Sequence, residues 1–374
     1  MYYTFYTPNE QKESALQKYY IDNLLKLNNV RMPRHYTFPP TKTVVDLAHN
    51  QGKSMWYHQR QNIIDNLQNI VNHYKDIPYD YNTFKIPKAS GGFRTIDAPN
   101  PQLKALQQQV LHWLKHDIGS IQHNAAFAYT QHRSTKDALL LHQQNKSNWF
   151  LKIDIKNFFP SITEDVIRDN LKQLYPLAKF PPSDLNKLFE TLLPIVLLNG
   201  SLPQGSPVSP HLSNLVMVPF DYEFNKALQY IGTGFHVYTR YADDILISHR
   251  VKQDIKPIIA KVEELLDWTG KFKINKDKLR YGSKEGRNWN LGLMYNKDSK
   301  ITVGHKAKQL FRAELAGFIR DYKTYTVEKA MSLQGILAYY KQIEPEYIEN
   351  CLLHYERKFN LSENIPTMLK KKLS

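Results

Sequence analysis

The sequence has very little cysteine and no long apolar run. Cys351 is the single thiol among 374 residues, which excludes an internal disulfide framework and a zinc-ribbon site. The longest apolar run, Leu192 to Leu198, falls far short of the ~20 residues that a membrane-spanning helix needs. The N-terminal residues also lack the charged and apolar regions of a signal peptide. These absences predict a cytoplasmic protein that does not associate with membranes.

Acidic residues are outnumbered by basic ones. The chain has 50 Lys and Arg against 35 Asp and Glu, a formal net charge of +15. The excess is concentrated in residues 271–374, which hold 21 basic and 11 acidic residues. A charge of this sign favours a polyanionic partner, nucleic acid before an anionic membrane. A basic C-terminal quarter suits the binding of a duplex backbone.

Two adjacent carboxylates interrupt an apolar stretch near residue 243. Apolar residues alternate with period two along 237–248, on both sides of Asp243 and Asp244. This pattern is typical of a β-hairpin with the acidic pair at its turn. Because adjacent carboxylates repel each other, such a pair is either an exposed turn or a cation site. Magnesium fits best, since it prefers oxygen ligands.

A second apolar strand ends in a carboxylate. Residues 149–153 are mostly apolar and lead directly to Asp154, which lies 89 residues before Asp243. A lone Asp in an apolar strand is often a satisfied buried polar group. Together with Asp243 and Asp244, however, it completes the three carboxylates that two-metal phosphoryl transfer requires, with Asp154 bridging both ions.

The motifs resemble those of bacterial retron-type and group II intron-type reverse transcriptases. Tyr-Ala-Asp-Asp occupies 241–244, and Leu-Pro-Gln-Gly followed by Ser-Pro occupies 202–207; related blocks run from about 83 to 340. The resemblance implies an α+β right-hand polymerase. It would comprise an N-terminal helical extension (1–80), fingers (81–150), an antiparallel-sheet palm (151–300) and a helical thumb (301–374).

The resemblance also implies roles at the reaction centre. Asp154, Asp243 and Asp244 would be catalytic and would hold two Mg²⁺ ions, with the Ile155 backbone completing the metal shell. Lys278 would neutralise or protonate the leaving pyrophosphate. Lys276 is the rival for that role, because the register can slip.

Further residues correspond to the nucleotide-binding positions of the family. Arg94 and then Lys88 would face the triphosphate, because a guanidinium grips phosphate oxygens bidentately. Phe159 would lie under the sugar and exclude a 2′-hydroxyl, although it would equally serve as a core anchor beside Phe158. The remaining two positions are Gln204, a hydrogen-bond partner for sugar or base, and Gly205, which permits close approach of the backbone to a ligand.

Four residues match positions that contact nucleic acid in the family. Arg133 would touch template or primer phosphate, and Gly292 would let a short hairpin grip the primer. Lys306 and Arg312 lie beside or opposite the apolar face of a helical segment, which would belong to a thumb laid against the minor groove of the primer–template duplex.

The resemblance therefore predicts an RNA-directed DNA polymerase that uses dNTPs, an RNA template and a DNA primer. It also implies that the template is a dedicated non-coding RNA and that the enzyme acts in bacterial antiviral defence. Residues 137–142 and 290–292 depart from the usual retron blocks, which favours a related phage-defence or abortive-infection enzyme. Two alternatives stay open: a template-independent or protein-primed polymerase, and an inactive RNA-binding protein on the same fold. A homo- or hetero-oligomer is also left open.

Overall fold

A computed structural model describes residues 59–373 except 89–90, 119–121, 233–234, 285–291 and 297. Most of the predicted N-terminal extension therefore lies outside the described residues. The chain forms two compact units, one comprising 1–121 and 162–219 and the other 122–161 and 220–374. The strands are β1 (Tyr81–Pro87), β2 (Phe93–Pro99), β3 (Trp149–Asp154), β4 (Val237–Tyr241), β5 (Asp244–His249), β6 (Arg280–Ser283), β7 (Met294–Tyr295) and β8 (Ile301–Thr302).

Helices make up most of the remaining described structure. In chain order they are α1 (59–73), α2 (Pro101–Trp113), α3 (Thr135–Gln144), α4 (Glu164–Leu171), α5 (Pro182–Val196), α6 (Ser209–Val216), α7 (Val218–Ala227), α8 (Lys256–Gly270), α9 (His305–Arg320), α10 (Val327–Ile343), α11 (Pro345–Lys358) and α12 (Ile365–Leu373). The sequence pattern of 210–229 predicts one long helix, whereas the structure has α6 and α7 with a break at Met217. None of the described helices is long and apolar enough to span a membrane.

The first unit combines a two-stranded ribbon with helices. Strands β1 and β2 pair in antiparallel register from Tyr81 opposite Pro99 to Pro87 opposite Phe93. Gly91 and Gly92 connect them with φ of +88° and +77°, a conformation that glycine adopts without strain. Two short β segments on either side of Gly91 and Gly92 indicate a hairpin in the sequence, and β1 and β2 form it. The apolar spacing of 63–71 likewise predicts a helical face, and α1 buries Ile63 there.

The second unit is built on a four-stranded antiparallel sheet of order β4-β5-β3-β6. Asp154 lies opposite Asp244 in the β3–β5 register, and Tyr241 lies opposite Asp244 in the β4–β5 register. Directly opposed residues project from the same face of a sheet, and side chains alternate between faces. Lys152 therefore shares a face with Asp154 and Asp244, whereas Arg240 projects from the other face.

Each face of this sheet is covered. On the carboxylate face, Phe150 and Leu246 pack in a core with Leu139 of α3 and Tyr295 of the β7–β8 hairpin. On the opposite face, α7 packs against β4, where Phe224 and Tyr238 form an edge-to-face ring pair with centroids 5.0 Å apart. The two covered faces fix the strands that present the acidic side chains.

The C-terminal helices α9 to α12 form a separate core within the second unit. The buried side chains of this core include Phe311, Phe318, Ile348, Cys351 and Leu369. The apolar neighbours of Cys351 in the sequence indicate a packing residue, and it is buried in this core. The closing lysines, which by sequence alone resemble a solvated tail, belong to α12, and the Nζ of Lys372 donates to the carbonyl of Tyr322 at 2.9 Å.

Candidate active site

Three carboxylates meet at one end of the four-stranded sheet. Ala242 turns the chain between β4 and β5 with φ of +56°, which leaves Asp243 in the turn and Asp244 as the first residue of β5. The amide of Ile155 donates to the Asp243 carbonyl at 3.0 Å and so ties this turn to the end of β3. The alternation of two apolar strands therefore places Asp154, Asp243 and Asp244 side by side.

Two lysines are paired with two of these carboxylates. The Nζ of Lys278 lies 2.8 Å from Oδ2 of Asp154, and the Nζ of Lys152 lies 2.8 Å from Oδ2 of Asp244. Of the two rival lysines of the sequence prediction, Lys278 is the one that contacts a carboxylate. Lys152 was not predicted, although its position two residues before Asp154 on the same face was a usable signal.

The electrostatics distinguish Asp243 from the other two acids. Burial, followed by repulsion from Asp244 and Asp154, raises the pKa of Asp243 to about 6. The hydrogen bond to Asp154 raises the pKa of Lys278, which keeps that side chain protonated. The site therefore holds concentrated negative charge that its two lysines offset only in part.

The donor set fits a hard divalent cation. All three side chains offer carboxylate oxygens, the ligands that Mg²⁺ prefers. As placed, they do not form a ready-made cluster: within the described residues, no three His, Cys, Asp or Glu side chains are positioned to enclose an ion. Oδ2 of Asp154 and Oδ2 of Asp244 each accept a lysine ammonium instead, so the two lysines compete with a metal ion for these carboxylates.

A buried ion pair supports the acidic turn from the opposite face of the sheet. Arg240 donates through Nε and Nη2 to the two carboxylate oxygens of Asp221 in α7, at 2.8 and 2.7 Å, and both side chains are fully buried. Its Nη1 donates to the carbonyl of Ala242 at 3.1 Å. Sequence reasoning missed this pair. An arginine on the inward face of an apolar strand was the signal, because a buried charge requires a partner.

The aromatic pair after β3 divides its roles between two rings. Phe158 is buried and packs against Phe272 with ring centroids 5.9 Å apart. Phe159 meets Phe158 edge to face at 5.6 Å and keeps part of its surface accessible. Asn157, with φ of +49°, makes the turn between Asp154 and these rings. Phe158 is thus the core anchor, and Phe159 is the ring available to a ligand.

The loop that contains Gln204 and Gly205 lies in the first unit and packs on β2. The amide of Asp97 donates to the Gln204 carbonyl at 2.7 Å. Gly205 has φ of +135°, and a Cβ at this position would lie 2.6 Å from the Asp97 carbonyl oxygen. Gly205 therefore lies close to the protein's own backbone, and its close approach to a ligand stays a prediction. Gln107, also unpredicted, is buried beneath this loop and accepts the Ser206 hydroxyl at 2.9 Å.

The other predicted contact residues differ in their surroundings. Lys88 and Arg94 are exposed on the β1–β2 ribbon. Arg133 donates to the carbonyls of Asn124 and Ala126, each at 2.9 Å, so its guanidinium shapes its own loop. Its contact with phosphate stays a prediction.

The remaining predicted contacts lie on or before the C-terminal helices α9 to α12. Gly292 is exposed with φ of +93° and precedes the β7–β8 hairpin, while the neighbouring Asn290 and Leu291 lie outside the described residues. Lys306 is exposed and Arg312 is half-buried, both on α9.

Comparison with known proteins identifies the family. Residues 86–295 match the family model described as reverse transcriptase (RNA-dependent DNA polymerase). The chain belongs to the reverse transcriptase family. It is 31% identical over 289 residues to the Retron Ec73 reverse transcriptase of Escherichia coli, covering 75% of this chain and 88% of that relative. It is 30% identical to the Retron Mx65 reverse transcriptase of Myxococcus xanthus, covering 84% and 71%.

Solved structures that resemble this chain share less of its sequence than these relatives do. A telomerase from Candida albicans, in complex with a fragment of telomeric RNA, shares 12% identity at a TM-score of 0.45, over 80% of this chain and 66% of that one. The reverse transcriptase family match itself confirms the predicted retron-type resemblance, the right-hand polymerase fold and the class of enzyme, an RNA-directed DNA polymerase.

Proposed function

We propose that this reverse transcriptase extends a DNA primer on an RNA template through Asp154, Asp243 and Asp244, which would hold two Mg²⁺ ions. The observation that carries the proposal is the meeting of these three carboxylates on neighbouring strands, joined by the Ile155–Asp243 hydrogen bond. When bound, the metal ions would activate the attacking 3′-hydroxyl and neutralise the leaving pyrophosphate.

Side chains of the protein would supply the proton transfer, the sugar selection and the binding of the triphosphate. Lys278 carries a proton beside the reaction centre, which suits donation to the departing pyrophosphate. Phe159 offers a partly accessible ring that would exclude a 2′-hydroxyl and so select dNTPs. Arg94 and Lys88, exposed on the ribbon, supply cations for the triphosphate. Gln204, whose carbonyl accepts the Asp97 amide of β2, would hydrogen-bond sugar or base through its side chain.

We further propose that the template is a dedicated non-coding RNA and that the enzyme acts in bacterial antiviral defence. Two observations support an RNA partner: the net charge of +15 and the similarity to retron reverse transcriptases. The departures from the retron blocks at 137–142 and 290–292 support a related defence enzyme, which is the more specific part of the proposal.

Sequencing of nucleic acid that co-purifies with the wild type and with Asp243→Asn/Asp244→Asn tests the function. DNA complementary to one small RNA, found with the wild type alone, is the expected result. DNA without any matching RNA would favour template-independent or protein-primed synthesis. Equal RNA in both samples with no DNA would instead leave an inactive RNA-binding protein.

A further inference from the structure

The end of the four-stranded sheet opposite the carboxylates carries both aromatic and basic side chains. We define the far-end surface by Lys146, Trp149, Phe235, Arg250 and Lys252. Three chain segments are joined there, because Arg250 Nε donates to the Asn145 carbonyl at 2.8 Å and Asn145 Nδ2 donates to the Phe235 carbonyl at 3.2 Å. The far-end surface is therefore one continuous feature of the second unit.

Cations and rings alternate on this surface. The guanidinium of Arg250 lies 5.5 Å from the centroid of the Phe235 ring, and Nζ of Lys252 lies 5.5 Å from that of Trp149. Phe235 is nonetheless 62% exposed. An aromatic ring of this exposure beside cations does not bury itself in the fold and leaves a face for a ligand.

The basic groups of the far-end surface have no acidic partners. Lys146, Arg250 and Lys252 are all exposed, and within the described residues none of them forms an ion pair. The nearest acid along these segments, Asp254, accepts the amide of Lys256 at 3.0 Å. The surface thus presents unneutralised positive charge.

We propose that the far-end surface binds single-stranded RNA, with a base stacked on Phe235 and phosphates on the three cations. Stacking on aromatic rings in a basic groove is how proteins hold single strands without reading their sequence. Trp149 is half-buried and its ring packs against Tyr281 with centroids 5.7 Å apart, so it supports Lys252 rather than a base. An acidic protein segment would use the cations but not the exposed Phe235 ring, so RNA is the partner that both observations favour. The proposal rests on the proposed function in taking the partner to be RNA.

This surface is separate from the reaction centre. Trp149 begins β3 and Asp154 ends it, so the two ends of the strand lie about 17 Å apart at ~3.3 Å per residue. RNA on the far-end surface would therefore be a part of the partner RNA that is not being copied. Its role would be to retain the RNA on the enzyme while the templating segment moves.

Fluorescence anisotropy with a labelled 20-nucleotide oligouridylate tests the proposal. Excess unlabelled RNA/DNA hybrid is present to occupy the proposed primer–template site at the reaction centre. Phe235→Ala/Lys252→Ala should raise the Kd at least about tenfold, since loss of one stacked base alone costs ~1–3 kcal/mol. It should also reduce the slope of log K against log salt by about 0.7, the value for one phosphate contact on a single strand. Lys261→Ala/Trp268→Ala, which removes the same charge and an exposed aromatic ring from α8, is the matched control and should stay within twofold of the wild type.

A Kd within twofold of the wild type for Phe235→Ala/Lys252→Ala, or equal weakening by the control, would overturn the proposal. Competition by poly-glutamate as strong as that by unlabelled oligouridylate would assign the surface to an acidic protein instead. Primer extension on poly(rA)/oligo(dT) separates this proposal from the function itself. We expect Phe235→Ala/Lys252→Ala to retain wild-type extension, whereas a wild type that fails to extend contradicts the polymerase proposal and leaves the anisotropy result intact.

Discussion

The ammonium group of Lys152 lies 2.8 Å from the carboxylate of Asp244, on the sheet face that also carries Asp154. Lys278 makes the equivalent contact with Asp154. Three clustered carboxylates repel one another, and these two lysines offset that repulsion in the metal-free protein. The same contacts oppose the binding of a cation, because each occupies an oxygen that a metal ion would use. Lys152 is thus expected to tune the affinity of the site for divalent metal.

Replacing Lys152 by Met should increase the affinity for Mn²⁺, used as a spectroscopic substitute for Mg²⁺. The change removes a positive charge next to Asp244 and frees that carboxylate, so we expect the Kd to fall on the order of tenfold, equivalent to about 1.4 kcal/mol. Titration followed by electron paramagnetic resonance measures free Mn²⁺ directly and does not depend on activity.

Two controls accompany this titration. Lys152→Arg keeps the charge and should bind Mn²⁺ as the wild type does, whereas Asp154→Asn should bind it weakly. Equal affinities for Lys152→Met and the wild type would show that Lys152 does not influence the metal site.

The raised pKa of Asp243 predicts a pH-dependent stability of the metal-free protein. Its value of about 6 exceeds the ordinary 3.8, so the native state holds the proton more tightly than the unfolded state does. The contribution of Asp243 to stability is therefore complete below pH 3.8 and is lost as pH rises through 6. At pH 7.5, Asp243→Asn should be more stable than the wild type by on the order of 2 kcal/mol.

Denaturant unfolding in the presence of a chelator, at pH 5 and pH 7.5, measures this effect. The advantage of Asp243→Asn should shrink at the lower pH. An advantage that is the same at both values would mean that Asp243 ionises as readily in the native state as in the unfolded chain.

The buried Asp221–Arg240 pair should contribute separately to stability and to activity. Asp221→Asn leaves a buried guanidinium partly unpaired, and loss of one partner from a buried pair costs ~3–5 kcal/mol. Replacing both residues, as Asp221→Leu/Arg240→Met, removes both charges and should recover part of that loss. The recovery is partial because the buried Tyr238 hydroxyl, which donates to Asp221, then loses its acceptor.

The same double variant cannot donate a hydrogen bond to the Ala242 carbonyl, so the acidic turn loses its support. We expect the folded double variant to show a kcat reduced about tenfold with little change in the KM for dNTP. Loss of the hydrogen bond to the Ala242 carbonyl, worth ~1 kcal/mol or more, would let the acidic turn move and would displace the catalytic groups. Steady-state primer extension beside thermal unfolding separates the two effects. Full activity in the double variant would show that the pair only stabilises the fold.

The adjacent rings Phe158 and Phe159 should respond differently to truncation. Phe158→Ala removes a buried ring and should destabilise the protein by ~3–5 kcal/mol. Phe159→Ala should leave stability nearly intact and allow ribonucleotides to be incorporated, because the barrier to the 2′-hydroxyl is removed. Single-nucleotide incorporation of dGTP and GTP measures the selectivity, and unchanged discrimination by Phe159→Ala would remove this residue from sugar selection.

The sequence predicted the local elements of the site better than its long-range pairings. Strong period-two alternation next to acidic residues located both the end of β3 and the β4–β5 turn. Nothing local, in contrast, predicts that Arg240 meets Asp221, since the partners lie in different elements and are joined only by packing. The break at Met217 is not visible in the sequence either, because helical periodicity continues through that residue. The sequence pattern places Leu310 on the apolar face of α9, yet its side chain is 63% exposed, because the apolar residues cover more of the helix surface than the core covers.

A final prediction concerns Gly205, whose substitution by Ala should displace the loop that holds Gln204. The new Cβ would lie 2.6 Å from the Asp97 carbonyl oxygen. Because both groups belong to the main chain, the clash is relieved only if the loop or strand β2 moves. Gly200 provides a matched control, because it also has a positive φ, +77°, yet a Cβ there meets nothing within 4 Å. Gly200→Ala should therefore cost only about 1 kcal/mol of backbone strain, whereas Gly205→Ala should also raise the KM for dNTP severalfold. If both variants bind dNTP equally well in primer extension, the contact of the loop with β2 does not position Gln204 for the nucleotide.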